Sequence, residues 1–174
     1  MKKTNSVYRF FKHFFSHPWQ VNRHFSAQAL HNIEQAISAS EKAHAGEIRF
    51  IVETGLHPLE ILYKKTPKRR ALELFASLNI WDTEHNNGVL IYLLLVDRDV
   101  EIVADRGIDR HVEHAGWEKI CQNMESLFRK GEFEAGVLQG IAEISVELEK
   151  HFSLTDGPLT GLNKNEISNK PLIL

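Results

Sequence analysis

The sequence predicts an α/β fold, a three-layer α/β/α Rossmann-like sandwich with a small mixed sheet. Three observations carry this expectation. Residues 89–96 form an unbroken apolar run, too continuous for a strand with one wet face and right for a central strand covered on both sides. Segments with helical periodicity lie before and after it. The order of elements reads α-β-α-β-β-α-α, which places helices between and around strands.

Each element has its own signal. Residues 26–45 read as a helix. Ser26 is placed as N-cap, Leu30, Ile33 and Ile37 keep one apolar stripe, and Gly46 stops it. Glu47-Ile48-Arg49-Phe50-Ile51-Val52-Glu53 alternates and is rich in β-branched residues, so it is a strand ending by Gly55. Residues 55–66 connect, with Pro58 and a short apolar piece. Thr66-Pro67 opens the next helix, a capping hydroxyl followed by proline where a missing N–H costs nothing. Ala71, Leu74, Phe75 and Leu78 give that helix one buried face. Asn86-Asn87-Gly88 breaks the chain before the central strand. The short polar Asp97-Arg98-Asp99 then turns it into the alternating Val100-Glu101-Ile102-Val103-Ala104, an antiparallel hairpin. The first two strands, joined by a helical crossover, should be parallel. Two helices follow, one with Trp117, Ile120, Cys121, Met124, Leu127 and Phe128 on a face, the other with Phe133, Val137, Leu138, Ile141, Ile144 and Leu148. Gly131 separates them.

The expected organisation is a basic aromatic segment over residues 1–25, one domain over 26–152, and a flexible tail over 153–174. The chain of 174 residues is long enough for one core. A single cysteine, Cys121, excludes an internal disulfide framework and a cysteine-built zinc site; on its apolar helix face it reads as a core thiol. The net charge of −2 hides a split, because residues 1–33 carry +5 with no acid and the remainder carries −7. Seven of the 16 aromatic residues fall within residues 1–25. Charge interrupts the aromatic run and Pro18 ends it, so it is neither a signal-peptide core nor a spanning segment. The expected location is cytoplasmic, peripheral at the inner face of the membrane.

At helical spacing, Phe10 pairs with Phe14 and Phe11 with Phe15, with Lys12 among them and Trp19 beyond. A helix at a bilayer surface would bury such rings beside anionic lipid, and a protein groove would use the same anchors. A protein partner or an anionic membrane surface is therefore expected, against the alternative that the segment packs on its own domain. Nucleic acid is not expected, since five cations without a known motif are poor evidence for it.

Asn87-Gly88-Val89-Leu90-Ile91, then Asp97-Arg98 and Val100-Glu101-Ile102, then Gly131-Glu132-Phe133-Glu134-Ala135-Gly136-Val137-Leu138 resemble the TPM domain. That family is named for a plant thylakoid-lumen protein, a photosystem repair protein and a modulator of acetylcholine receptors. The resemblance spans roughly residues 26–152. It implies a Rossmann-like sandwich, and it links the chain to acid phosphatase activity, divalent-cation binding and membrane-complex maintenance. The usual G-Y-G-L-E-G stretch after the third strand is replaced here by Asp105-Arg106-Gly107-Ile108-Asp109-Arg110.

Topology brings the start of the first strand, the start of the second and the end of the third to one end of the sheet. Glu47, Asp82, Glu84, Asp105 and Asp109 should converge there. Crowded carboxylates with asparagine oxygens suit a hard cation, Ca²⁺ or Mg²⁺. The alternative is a set of solvated loops and caps. If the chain is a metal-assisted phosphatase on phosphomonoesters, Arg106 is the candidate to stabilise phosphate charge. No organic cofactor is expected, because no Walker loop, G-x-G-x-x-G or G-x-S-x-G is present. His111-Val112-Glu113-His114 is one residue short of either zincin spacing. Asp97-Arg98-Asp99 imitates a haloacid-dehalogenase motif but lies in a hairpin turn with the wrong spacing to its later acids.

Overall fold

A computed structural model describes residues 6–17, 19–154 and 165–174. The sheet is built from β1 (Glu47–Glu53), β2 (Gly88–Leu94), β3 (Asp99–Ala104) and β4 (Leu172–Ile173), in the order β3-β2-β1-β4. β1 is parallel to both β2 and β4, and β3 is antiparallel to β2. The helices are α1 (Ser6–Phe14), α2 (Trp19–His24), α3 (Ala27–Ser40), α4 (Pro58–Leu62), α5 (Pro67–Ser77), α6 (Arg106–Lys130) and α7 (Phe133–Phe152).

Every residue of β2 is buried, as its unbroken apolar run requires. Its side chains alternate between two cores. Val89, Ile91 and Leu93 face a core shared with α2, α3, α6 and α7. Leu90, Tyr92 and Leu94 face a second core with Leu56, Ile61, Ala71, Leu74 and Ile80, against which Phe10 of α1 packs. The result is the expected three-layer sandwich.

The caps read from sequence are in place. Ser26 Oγ accepts from Ala29 N at 3.0 Å, and Thr66 Oγ1 accepts from Arg69 N at 3.2 Å ahead of Pro67. Gly131 ends α6 at φ 87°, a conformation that costs a glycine little.

Three features depart from the sequence reading. Val21 and Phe25 are fully buried in the larger core, so a boundary at residue 25 cuts through the domain; the short helix between Pro18 and Ser26 hides too few apolar positions to show this by periodicity. The C-terminal residues do not all form a tail: Leu172 and Ile173 pair with Ile51 and Val52, and Ser153 bridges His44. A two-residue strand after Pro171 carries no pattern of its own and exists because an open edge of β1 receives it. The rest of the expected tail, residues 155–164, lies outside the described residues, as do Lys2 and Lys3. Finally, α6 breaks at Glu113 (φ 60°, ψ 165°), so His111 and His114 do not share a helix face. His111 stacks on His151 with ring centres 4.2 Å apart, while His114 Nε2 lies 3.2 Å from Glu118.

Candidate functional site

The sheet end where β1 and β2 begin and β3 finishes does come together. Asp105 N donates to Gly88 O at 2.9 Å, and Glu47 is in register with Gly88. Gly107 N donates to Asn86 O at 2.8 Å, and a Cβ at Gly107 would fall 2.3 Å from that oxygen, so only glycine lets α6 start this close to the loop. Arg106, the candidate for phosphate charge, reaches Asn86 Oδ1 with Nε at 3.0 Å.

The five candidate metal ligands are drawn in different directions. Glu47 is buried, and its Oε2 accepts the Ile167 N–H at 3.1 Å; burial raises its pKa. Asp105 caps α6, accepting from Arg106 N at 2.7 Å. Asp109 Oδ1 accepts from Trp117 Nε1 at 3.0 Å. Asp82 is exposed beside a cavity of about 270 Å³ that Arg49 and Glu166 also line. Glu84 donates its backbone N–H to both oxygens of Glu166, each at 3.2 Å. Among the described residues, no three His, Cys, Asp or Glu side chains gather to hold a metal ion. Two buried oxygens at this end, Asn87 Oδ1 and Asp105 Oδ2, meet no donor among the described residues. Glu47 was legible as a carboxylate at a sheet end. That residues 165–170 would fold over it was not, because nothing in their own pattern marks them as structured. Glu41, absent from the sequence-derived set, holds the same segment: its Oε2 accepts from Asn169 Nδ2 at 2.7 Å and its Oε1 from Ile48 N at 3.0 Å.

The aromatic front end is a second candidate. α1 forms as its spacing predicts, with Phe10 and Phe14 stacked at 6.2 Å and Phe11 and Phe15 at 6.5 Å. Its cations turn inward to the hairpin turn between β2 and β3. Arg9 Nε lies 2.9 Å, His13 Nε2 3.1 Å and Lys12 Nζ 3.6 Å from the Asp97 carboxylate. Burial would raise the Asp97 pKa, but His13 and Arg9 overcome it and hold the carboxyl at about 2. Asp97 is thus the anchor of α1, a role its turn position did not signal. With the cations turned in, Tyr8, Phe11, Phe14, Phe15 and Trp19 are left between 53% and 63% exposed. α4, which packs against α1, leaves Leu59, Leu62 and Tyr63 exposed as well. No helix among the described residues is long and apolar enough to cross a membrane.

Sequence reasoning also missed a buried ion pair near the opposite end of β1. Arg70 donates from two nitrogens to the two oxygens of Glu53 at 2.9 and 3.0 Å, and Tyr92 Oη donates to Glu53 Oε2 at 2.7 Å. A glutamate at the end of β1 and a tyrosine within the apolar run of β2 were the available signal.

Comparison with solved structures places this fold beside an NMR structure of the BA42 protein from the psychrophilic bacterium Bizionia argentinensis. It is 27% identical, with a TM-score of 0.73 over 86% of this chain and 95% of that one. The N-terminal domain of a protein from P. gingivalis, 18% identical, shares the fold with a TM-score of 0.61 over 74% of this chain and 78% of its own. No curated protein matches the sequence. The TPM domain model matches residues 22–147, from the buried Val21–Phe25 turn of the core to the last turns of α7, and the chain belongs to the TPM domain family.

Proposed function

We propose that this TPM-domain protein is a peripheral interaction module that meets a membrane surface through α1 and α4. The observation that carries the reading is the division of labour within α1. Arg9, Lys12 and His13 fasten the helix to Asp97, while its large rings stay in water. Exposed apolar surface of this extent, set beside a second exposed apolar helix, is characteristic of contact sites rather than of ordinary surface. Tyrosine and tryptophan suit the headgroup level, where an apolar ring body and a polar tip are both satisfied, and phenylalanine suits the acyl boundary beneath. Because its cations are already engaged, α1 should depend more on ring burial than on anionic lipid.

Co-sedimentation with vesicles tests this, comparing the full chain with a Phe11→Ser/Phe14→Ser/Phe15→Ser variant. The expected result is binding to neutral and anionic vesicles that the variant loses. Equal sedimentation of both proteins, or failure of the parent to sediment, would overturn it.

The two donor-less oxygens favour a second reading, a hard divalent cation seated between the 86–88 loop and Asp105. Asparagine caps helices as well as aspartate does, so Asp105→Asn removes the charge without removing the cap. A calcium-dependent rise in Tm that this variant abolishes would support the reading. No rise in the parent at millimolar calcium would end it.

A further inference from the structure

Among the described residues no strand pairs with the outer edge of β3, which lies at the floor of a groove. The groove has a volume of about 660 Å³ and runs between α5, through Lys68 and Leu72, and α6, through Trp117 and Cys121. The ladder to β2 fixes which backbone groups face it. Asp105 N bonds to Gly88 O, and the register pairs Val103 with Leu90, Glu101 with Tyr92 and Asp99 with Leu94. In an antiparallel pair the hydrogen-bonded positions alternate, so those residues point their backbone groups at β2. Val100, Ile102 and Ala104 therefore turn their N–H and C=O outward into the groove. Among the described residues the Ile102 N–H meets the Cys121 sulfur of α6, a weak acceptor.

Open edges are normally blunted by charges, above all lysine, by a proline, by a bulge or by a covering element. β3 carries two carboxylates but no lysine or proline. Its charges are Asp99 and Glu101, and neither is hydrogen-bonded or ion-paired among the described residues. Burial, then the carboxylates of Glu101, Glu125 and Asp97, push Asp99 up to about 7 against Arg9; burial raises Glu101 too, with Lys68 opposing it, Glu125 adding repulsion and His114 opposing again. Asp109, Glu118 and Glu125 from α6 add to the acidic lining, against Lys68 and His114. The same charge disfavours a second copy of the chain. Antiparallel self-pairing centred on Ile102 would set Asp99 opposite Asp105.

We propose that this groove binds an extended, cationic peptide segment, which adds to the sheet as a strand beside β3. The backbone groups of Val100, Ile102 and Ala104 would supply the ladder, and Asp99, Glu101 and Glu125 would meet lysine or arginine side chains on alternate positions. The groove is lined by other residues than the rings of the proposed membrane contact, and its test is independent of that contact.

The test uses the full chain and a labelled peptide of alternating lysine and valine. Controls are an alternating glutamate–valine peptide and a lysine–valine peptide with prolines at every second residue. Binding is read by fluorescence anisotropy, and strand addition by amide exchange at Ile102 and Ala104. Expected are binding of the lysine–valine peptide alone, slowed exchange at both amides, and affinity at least about tenfold weaker in Glu101→Lys/Glu125→Lys. Ile102→Pro, which removes one outward N–H at an edge position and leaves the β2 ladder intact, should weaken it as well. Equal binding of the proline-bearing peptide, unchanged exchange at the two amides, or undiminished affinity in the charge-reversed variant would overturn the proposal. So would protection of the β3 amides that grows with protein concentration in the absence of peptide, which would identify a second copy as the occupant.

Discussion

His13 donates from Nε2 to Asp97 Oδ2 at 3.1 Å, because its Nδ1 already accepts the Leu56 N–H at 2.9 Å. The two bonds fix the orientation of the ring and tie three separate pieces of chain together. The ring is buried at 2% exposure, so neither bond can be replaced by water without opening α1.

Asp97→Ala should therefore loosen α1 and cost about 2 kcal/mol, the worth of charge-assisted bonds plus an orphaned buried donor. Urea unfolding gives the cost, and amide exchange in α1 locates it. Unchanged exchange there would show that the carboxylate does not hold the helix. The acid dependence has a definite sign. A folded pKa depressed to about 2 means that the contribution is present above the usual aspartate value, near 3.8, and is lost as pH falls through about 2. Parent stability should drop over that window, and the alanine variant should drop less.

Glu41 should show the opposite sign. Burial pushes its carboxyl up to about 8, the Ile48 N–H opposes this, Glu47 adds repulsion, and Asn169 opposes again. A raised folded pKa gives stability that is fully present below about 4.5 and lost as pH rises through about 8. Tm should fall across that window. Glu41→Gln should flatten the decline and raise Tm by several degrees near pH 8, since an amide placed there can meet the otherwise partnerless Asn169 Oδ1 once Asn169 turns over. A parallel pH profile in parent and variant would remove Glu41 from the account.

The Glu53–Arg70–Tyr92 group predicts a graded series. Glu53→Ala strands a guanidinium and a phenol in a mostly apolar layer and should cost about 3 to 5 kcal/mol. Tyr92→Phe removes one hydrogen bond and should cost about 1 kcal/mol. Chemical denaturation of both variants checks the order; equal costs would mean that the ion pair is not the dominant element.

Cys121 should be inert in the folded protein. Burial, then the carboxylates of Glu101, Glu125 and Asp99, push its thiol up to about 12 against the opposing Ile102 N–H. Alkylation by iodoacetamide at pH 8 should be far slower than for a free thiol and should become ordinary on unfolding. Native labelling at the free-thiol rate would contradict this.

The sandwich was legible because its signals are local. The apolar run of β2, the Ser26 and Thr66–Pro67 caps and the polar hairpin turn each announce themselves within a few residues. The site was half legible. Topology correctly brought Glu47, the 81–87 loop and residues 105–109 to one end of the sheet, but it could not say what each carboxylate would bond to. Glu47 finds Ile167 and Asp109 finds Trp117, and such choices depend on distances that no spacing encodes. The aromatic pairs of α1 were read correctly as helical, whereas the inward turn of its cations depended on Asp97, which lies 88 residues from Arg9.

The strand order carries a consequence for biosynthesis. The Ile167 N–H that Glu47 receives is made 120 residues later, and Leu172 and Ile173 later still. During translation β1, β2 and β3 leave the ribosome well before β4, so the nascent sheet has two open edges instead of one. Until residues 165–173 emerge, Glu41 and Glu47 stay hydrated and the unpaired side of β1 is open to chaperones and to neighbouring nascent chains. Closing so long a loop is slow relative to forming local structure. Docking of residues 165–174 should therefore follow the pairing of β1, β2 and β3.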